Sequence, residues 1–321
     1  MSKFKVYVTD YEYETLKNEE HEMAKLDADF IPIQCKTEED VIRLAKDADA
    51  LLVQYAPITS KVFDALDHLK IVVRYGVGVD CVDLDAATKH NVYVCNVPDY
   101  GVDEVSTHAV TLILTSIRKI TLLSDSVKQG TWDFKISKPI RRTSALVLGI
   151  AGFGRIPKAV AEKAKQFSFQ MIAYDPFVDE KVMQQYGVKK VSFDTLVKES
   201  DIITVHIPLT AETNHMFNRE TFQKMKKGSF IVNTSRGPLI DESALVFALE
   251  NKILAGAAID VCEKEPLPKD SQLRKFENVI LTPHVAWYSE EAQDDLQRKA
   301  AEEVVRVLQN EKPRCCVNLK V

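Results

Sequence analysis

The chain has 321 residues, 45% of them apolar and 28% charged, which is enough for two domains of about 150 residues each. A formal charge of −5 gives no electrostatic reason to expect nucleic acid or an anionic membrane as a partner. No run approaches about 18 apolar residues, Met1–Asp10 is too short in its apolar part for a signal peptide, and the six cysteines show no zinc spacing; a membrane span, a leader and a metal site are disfavoured and a reducing, cytoplasmic setting is expected.

In chain order, strands are predicted at Lys5–Val8, Phe30–Ile33, Ala50–Val53, Ile71–Arg74 and Val92–Cys95, separated by helix-periodic segments such as Glu38–Lys46 and Lys61–Leu66. A long helical pattern follows over Val102–Ile117. After Pro139 a second series begins with the apolar strand Ala145–Ile150 and a helix carrying Val160, Ala164 and Phe167 on one face. Further strands are expected at Gln170–Tyr174, Ile202–His206, Phe230–Asn233, Ala255–Asp260 and Val279–Leu281, with helices such as Glu242–Glu250 between them. The last helix, Ala292–Leu308, places Ala292, Leu296, Ala300, Val304 and Leu308 on one face. Strand and helix in alternation predict α/β architecture: two doubly wound parallel-sheet domains. The two long helices can cross between them. The expected division is therefore a discontinuous first domain, residues 1–100 plus 291–321, and a second over residues 101–290.

The turn after Ala145–Ile150 reads Gly152-Phe-Gly154-Arg155-Ile156-Pro157. Glycines at a strand-to-helix turn let a pyrophosphate approach the backbone, where the helix offers unpaired N–H groups and the positive end of its dipole. Asp175 closes the next strand, 23 residues after Gly152, in position to accept both ribose hydroxyls of an adenosine and to repel a 2′-phosphate. No Arg follows within residues 176–180 to bind such a phosphate, so NAD is expected rather than NADP. Pro157 stands where the fingerprint has its third glycine; a first helical turn tolerates proline, at the loss of one N–H donor.

Arg236, Glu265 and His284 each lie a few residues beyond the C-terminal end of a predicted strand, the edge at which open α/β sheets bind ligands. A guanidinium there can hold a carboxylate and polarise a ketone. An imidazole can protonate the forming alkoxide, with a carboxylate to orient it.

These motifs resemble the D-2-hydroxyacid dehydrogenase family: Gly152-x-Gly154 with Asp175, His206-Ile-Pro-Leu-Thr210, Asn233-Thr-Ser-Arg236-Gly, Asp260-Val-x-x-x-Glu265-Pro and Thr282-Pro-His284, in that order. Arg74-Tyr-Gly-Val-Gly-Val-Asp80 and Asn96-Val-Pro98 extend the likeness over nearly the whole chain. The resemblance implies a flavodoxin-like substrate domain, a Rossmann NAD-binding domain and a homodimer built through the latter. It implies Arg236, Glu265 and His284 as the catalytic residues, and Arg155, Ile156, His206, Thr234, Ser235 and Asp260 as cofactor contacts beside Gly152, Gly154 and Asp175. It also supports Val77 and Gly78 as a backbone nest for a substrate carboxylate. Trp287, just after His284, is similar to the bacterial relatives of the C-terminal-binding-protein corepressors, and implies a pocket favouring apolar or thioether side chains.

The expected function is therefore NAD-dependent reduction of a small 2-oxo acid, with no metal. Glyoxylate or hydroxypyruvate reduction and an NAD(H)-sensing scaffold are the alternatives; phosphoglycerate dehydrogenase is disfavoured because the chain stops at Val321. His108, on the apolar helix, is expected to be a satisfied buried histidine. Cys315 and Cys316 are expected to be free thiols without a partner.

Overall fold

The computed structural model describes residues 3–319. The chain runs β1 (Phe4–Val8), α1 (Lys17–Met23), β2 (Ala28–Pro32), α2 (Glu38–Leu44), β3 (Ala50–Val53), α3 (Ser60–Ala65), β4 (Ile71–Arg74), α4 (Leu84–Lys89) and β5 (Tyr93–Cys95). It continues through α5 (Val102–Arg118), α6 (Ile120–Lys128), β6 (Val147–Ala151), α7 (Arg155–Lys165), β7 (Gln170–Tyr174), α8 (Glu180–Gln185), β8 (Lys189–Lys190), α9 (Phe193–Glu199) and β9 (Ile202–Val205). Last come α10 (Arg219–Lys224), β10 (Ser229–Asn233), α11 (Glu242–Glu250), β11 (Leu254–Ile259), β12 (Val279–Leu281) and α12 (Glu290–Leu308). The described residues divide into one unit of residues 3–101 and 289–319 and another of residues 102–288.

The first unit holds a five-stranded sheet in the order β2-β1-β3-β4-β5, all parallel, which is the flavodoxin-like order. Continuous β-branched runs such as Ile71-Val72-Val73 are buried on both faces, as a covered parallel sheet requires. One face packs Val41, Val62, Phe63 and Ala87 from α2, α3 and α4 into a core. α12 lies along α1 and against β4, and its stripe of Ala292, Leu296, Ala300, Val304 and Leu308 is buried. Ser289 caps α12 by accepting the Ala292 N–H at 2.9 Å.

The second unit holds seven parallel strands in the order β12-β11-β10-β9-β6-β7-β8. That is the doubly wound Rossmann arrangement with an added strand, and its order reverses between β6 and β9. α5 and α7 cover one face, over a core containing Ile113, Leu148, Ile150 and Phe153. On the other face Phe217, Phe222, Leu245 and Leu249 pack beneath α9, α10 and α11.

Three local features differ from the sequence-based expectation. Phe167, expected on one helical face with Val160 and Ala164, lies beyond the end of α7 at Lys165 and is exposed. The strand expected from Ala145 begins at Val147, because Thr143–Ala145 close a 3₁₀ turn in which Leu146 N–H donates to Thr143 O at 3.0 Å. The helix expected over Val102–Ile117 is followed by a second, α6, after Lys119 turns left-handed at φ 53°.

Candidate active site

Strand order reverses between β6 and β9, the point at whose carboxyl edge open α/β sheets bind ligands, and the glycine turn directly follows β6 there. Gly152 has φ 92°, a conformation L side chains rarely adopt, and a Cβ on it would stand 2.7 Å from His206 O. The loops after β6 and β9 approach this closely only because the position is glycine. A Cβ on Gly154 would meet nothing within 4 Å, so the space before α7 is open. Gly154 caps α7, whose first residues are Arg155, Ile156 and Pro157; Pro157 is buried in the first turn, where its missing N–H breaks no bond. Lys158 N–H, donating to Gly154 O at 3.3 Å, begins the helical ladder. The Arg155 and Ile156 amides are thus the first-turn donors left for an anion.

Asp175 directly follows β7. Its carboxylate accepts the Phe153 N–H at 2.8 Å and the Phe177 and Val178 N–H groups at 2.8 and 3.2 Å. These bonds fix the acid at the edge of the glycine turn and leave one lone pair, on Oδ2, for a ribose hydroxyl. His206, after β9, bonds Thr204 Oγ1 through Nε2 at 2.9 Å. Burial pushes its imidazole down to about 3, so it is neutral at physiological pH. The Thr234 hydroxyl, after β10, is buried and without a hydrogen-bond partner, whereas Ser235 Oγ donates to Ile207 O at 2.8 Å. An orphaned hydroxyl at the carboxyl end of β10, on the same sheet edge as the glycine turn, fits a bound polar cofactor. Replacing Gly152 with alanine is expected to raise the NADH dissociation constant about tenfold or more by fluorescence titration. An unchanged affinity would remove this turn from the cofactor site.

Three loops after β10, β11 and β12 carry the polar residues. The buried Asn233 side chain shapes the first, donating from Nδ2 to Arg236 O at 2.8 Å and accepting the Ser235 N–H at 3.0 Å. Arg236 Nη1 donates to Ser235 O at 2.8 Å. A Cβ on Gly237 would lie 1.9 Å from Cys262 O, so the Arg236 loop and the loop bearing Glu265 are packed backbone to backbone.

His284 Nδ1 lies 2.7 Å from Glu265 Oε2, and Glu265 Oε1 accepts the Cys262 N–H at 2.9 Å. Burial opposes the Glu265 charge, but the His284 hydrogen bond and charge, the Cys262 amide and the Arg236 charge together outweigh it and hold the carboxyl below its usual range. An ionised carboxylate can only accept, so Nδ1 carries hydrogen and Nε2 is the atom left to exchange a proton with a ligand. His284 itself has φ 52°, its backbone held by N–H donation to Asp260 O at 2.8 Å and Thr282 O at 3.1 Å.

Asp260 is the anchor of that loop. Its buried carboxylate accepts from Thr282 Oγ1 at 2.5 Å and from the Val285 and Ala286 N–H groups at 3.0 Å each. The carboxylate is spent on the turn that presents His284. His108 Nε2 on α5 sits 3.3 Å from Thr282 Oγ1 and 3.7 Å from Asp260 Oδ1. It is a satisfied histidine, half-buried rather than buried as expected, and it is tied to the loop that carries His284. Trp287 packs edge-on against Tyr288, ring centroids 5.6 Å apart.

Val77 and Gly78 belong to the other unit, in the loop after β4. Gly76 there has φ 135°, its O accepts the Val97 N–H at 2.9 Å, and Val77 O accepts from Asn96 Nδ2 at 2.6 Å. The Arg74 guanidinium occupies the place a Cβ on Gly76 would take. Tyr75 OH donates to the buried Glu19 at 2.8 Å. Asn233 and Gly237 flank Arg236 in the sequence motif, and their structural tasks emerge only from these contacts. A polar Asn ending an apolar strand was the available signal for the first, and the backbone contact of Gly237 left none. Among the described residues no group of three or more potential metal ligands occurs, and no helix is long and apolar enough to cross a membrane.

Residues 110–286 match the family model described as D-isomer specific 2-hydroxyacid dehydrogenase, NAD binding domain. The chain is 37% identical over 311 residues to a glyoxylate reductase of Korarchaeum cryptofilum, covering 95% of this chain and 92% of that one. It is 39% identical over 282 residues to a D-3-phosphoglycerate dehydrogenase of Archaeoglobus fulgidus, covering 88% of this chain and 53% of that protein, so it spans about half that relative's length. The crystal structure of D-lactate dehydrogenase from Aquifex aeolicus complexed with NAD and lactic acid superposes with TM-score 0.86 at 28% identity, over 95% of this chain and 96% of that one. The chain belongs to the D-isomer specific 2-hydroxyacid dehydrogenase family, with its NAD-binding domain over residues 110–286.

Proposed function

We propose that this protein is an NAD-dependent D-2-hydroxyacid dehydrogenase working as a 2-oxo acid reductase, with Arg236, Glu265 and His284 as its catalytic residues. The observation that carries the reading is the His284–Glu265 pair at 2.7 Å, with the Arg236 charge beside it. Gly152, Gly154, Arg155, Ile156, Asp175, His206, Thr234 and Ser235 hold the dinucleotide, which supplies the hydride when bound. Asp260 acts through the loop it fastens. Val77 and Gly78 serve as the carboxylate nest, and Trp287 lines the substrate side-chain pocket.

His284 Nε2 donates a proton to the alkoxide oxygen as negative charge develops there. Glu265 orients the imidazole through Nδ1. Arg236 holds the substrate carboxylate and stabilises the developing oxyanion by charge-assisted hydrogen bonds. In the reverse direction Nε2 takes the hydroxyl proton, and the same contacts serve.

The proposed assembly is a homodimer through the cofactor unit, in the cytoplasm. Ile120, Val127, Trp132, Phe134 and Ile136, on α6 and the segment after it, are all exposed, Trp132 at 89%, and an apolar group of this size is what a partner copy would cover. A panel of 2-oxo acids with NADH, followed by nicotinamide absorbance, tests the reading. Turnover of glyoxylate, hydroxypyruvate or an apolar oxo acid at a kcat of about 1 per second or more is expected. Tight NADH binding without turnover on any of them would favour a cofactor-sensing scaffold instead.

A further inference from the structure

Cys315 and Cys316 are free thiols, as expected, but Cys316 stands opposite a third cysteine, Cys95. Residues 315–317 run antiparallel along β5, with Val317 N–H donating to Val94 O at 2.8 Å and Asn96 N–H to Cys315 O at 3.3 Å. These two bonds flank an isolated bridge between Cys95 and Cys316. Both come from the neighbours of the facing residues, so Cys95 and Cys316 form a non-hydrogen-bonded pair, the site in an antiparallel ladder where Cα atoms stand about 4.5 Å apart and side chains share a face. That separation falls in the window a disulfide spans. Cys315, one residue away, directs its side chain to the opposite face. Asn318 holds the register: its Oδ1 accepts the Val94 N–H at 2.9 Å and its Nδ2 donates to Val92 O at 2.9 Å.

We propose that Cys95 and Cys316 are a redox-sensitive thiol pair that closes to a disulfide when the protein meets a low-molecular-weight disulfide such as oxidised glutathione. Both are free thiols in this structure; Cys95 is fully buried on β5 and Cys316 is half-buried. Access therefore sets the order of events. The Cys316 thiolate attacks one glutathione sulfur, forming a mixed disulfide and releasing one glutathione thiolate. Cys95 gives up its proton to solvent and attacks Cys316 Sγ, and the second glutathione thiolate leaves. Two protein thiols are oxidised and one glutathione disulfide is reduced to two thiols. Burial, then the nearby Glu303 carboxylate, push the Cys95 thiol well up, which makes the second step slow and selects for sustained oxidation.

The position gives the bond its consequence. Residues 102–288 form the second unit, and they are inserted in the chain between Cys95 and Cys316. A disulfide here joins the two separate segments of the first unit covalently across that insertion, closing a loop of roughly 220 residues. Loops of that length lose the most unfolded-state entropy on closure.

The full-length protein is equilibrated with oxidised and reduced glutathione at graded ratios, alkylated and digested with trypsin. The expected product is the peptide of residues 90–118 joined to the peptide of residues 315–320, with the intact protein about 2 Da lighter. The oxidised protein should melt about 5 °C higher than the reduced form. Cys315→Ser should retain both results, and Cys316→Ser, altered at a half-buried tail position, should lose both. Only glutathione adducts, a Cys315–Cys316 link, or no change at a strongly oxidising ratio would each overturn the proposal.

Discussion

Replacing His284 with alanine is expected to lower kcat for oxo acid reduction by about 10²–10⁴-fold while leaving the NADH dissociation constant within about twofold of the parent. The loss follows from its position: Nδ1 is committed to Glu265, so Nε2 is the proton donor the alkoxide would meet, and alanine supplies none. Stopped-flow reduction and fluorescence titration of the same variant separate the two quantities, and parental turnover would remove His284 from the chemistry. Glu265→Gln should keep the hydrogen bond and lose the charge. Its kcat for reduction should then fall about tenfold or more while the NADH dissociation constant stays within about twofold. The Glu265 carboxyl sits below its ordinary range, so the stabilisation from its pairing is fully present above that range. It is lost as pH falls through the lowered value, where the carboxylate takes up a proton. Glu265→Gln should accordingly flatten the acid side of the stability profile, measured by urea unfolding.

Arg236→Ala is the second large effect. It should lower kcat/KM by on the order of a hundredfold or more, because the guanidinium is used both to hold the carboxylate and to meet the charge forming on the ketone oxygen. Arg236→Lys should recover only part of this: an ammonium restores charge but not the planar fork that engages two oxygens. NADH affinity should change little in either variant. Equal kcat/KM in Arg236→Ala and the parent would exclude Arg236 from substrate binding.

The alternation of short apolar strands with amphipathic helices made both parallel sheets legible. So was the buried stripe of α12, whose five small and aliphatic residues recur every four positions. The glycine turn, the acid at the end of β7 and the three polar residues after β10, β11 and β12 were also readable, because each is a local departure at a strand end. Lys119 was not readable in the same way. A left-handed residue there splits the long helix from α6, and lysine carries no propensity signal for that conformation. The depth of the contact at Gly237 was equally silent, since it depends on a carbonyl 25 positions further along the chain.

Sequence alone determined the α/β class, the place of the dinucleotide turn and the chemical types in the polar set, since these rest on periodicity and on residue identity at strand ends. Tertiary structure decided which groups meet. It set Glu265 on the Nδ1 side of His284, turned the Asp260 carboxylate inward to hold the loop that presents that histidine, and left the Thr234 hydroxyl buried and unpaired. It also brought Cys316 opposite Cys95. Each of these pairings joins residues far apart in the chain. Distance in space between such residues follows from strand order and loop packing, which no local pattern encodes.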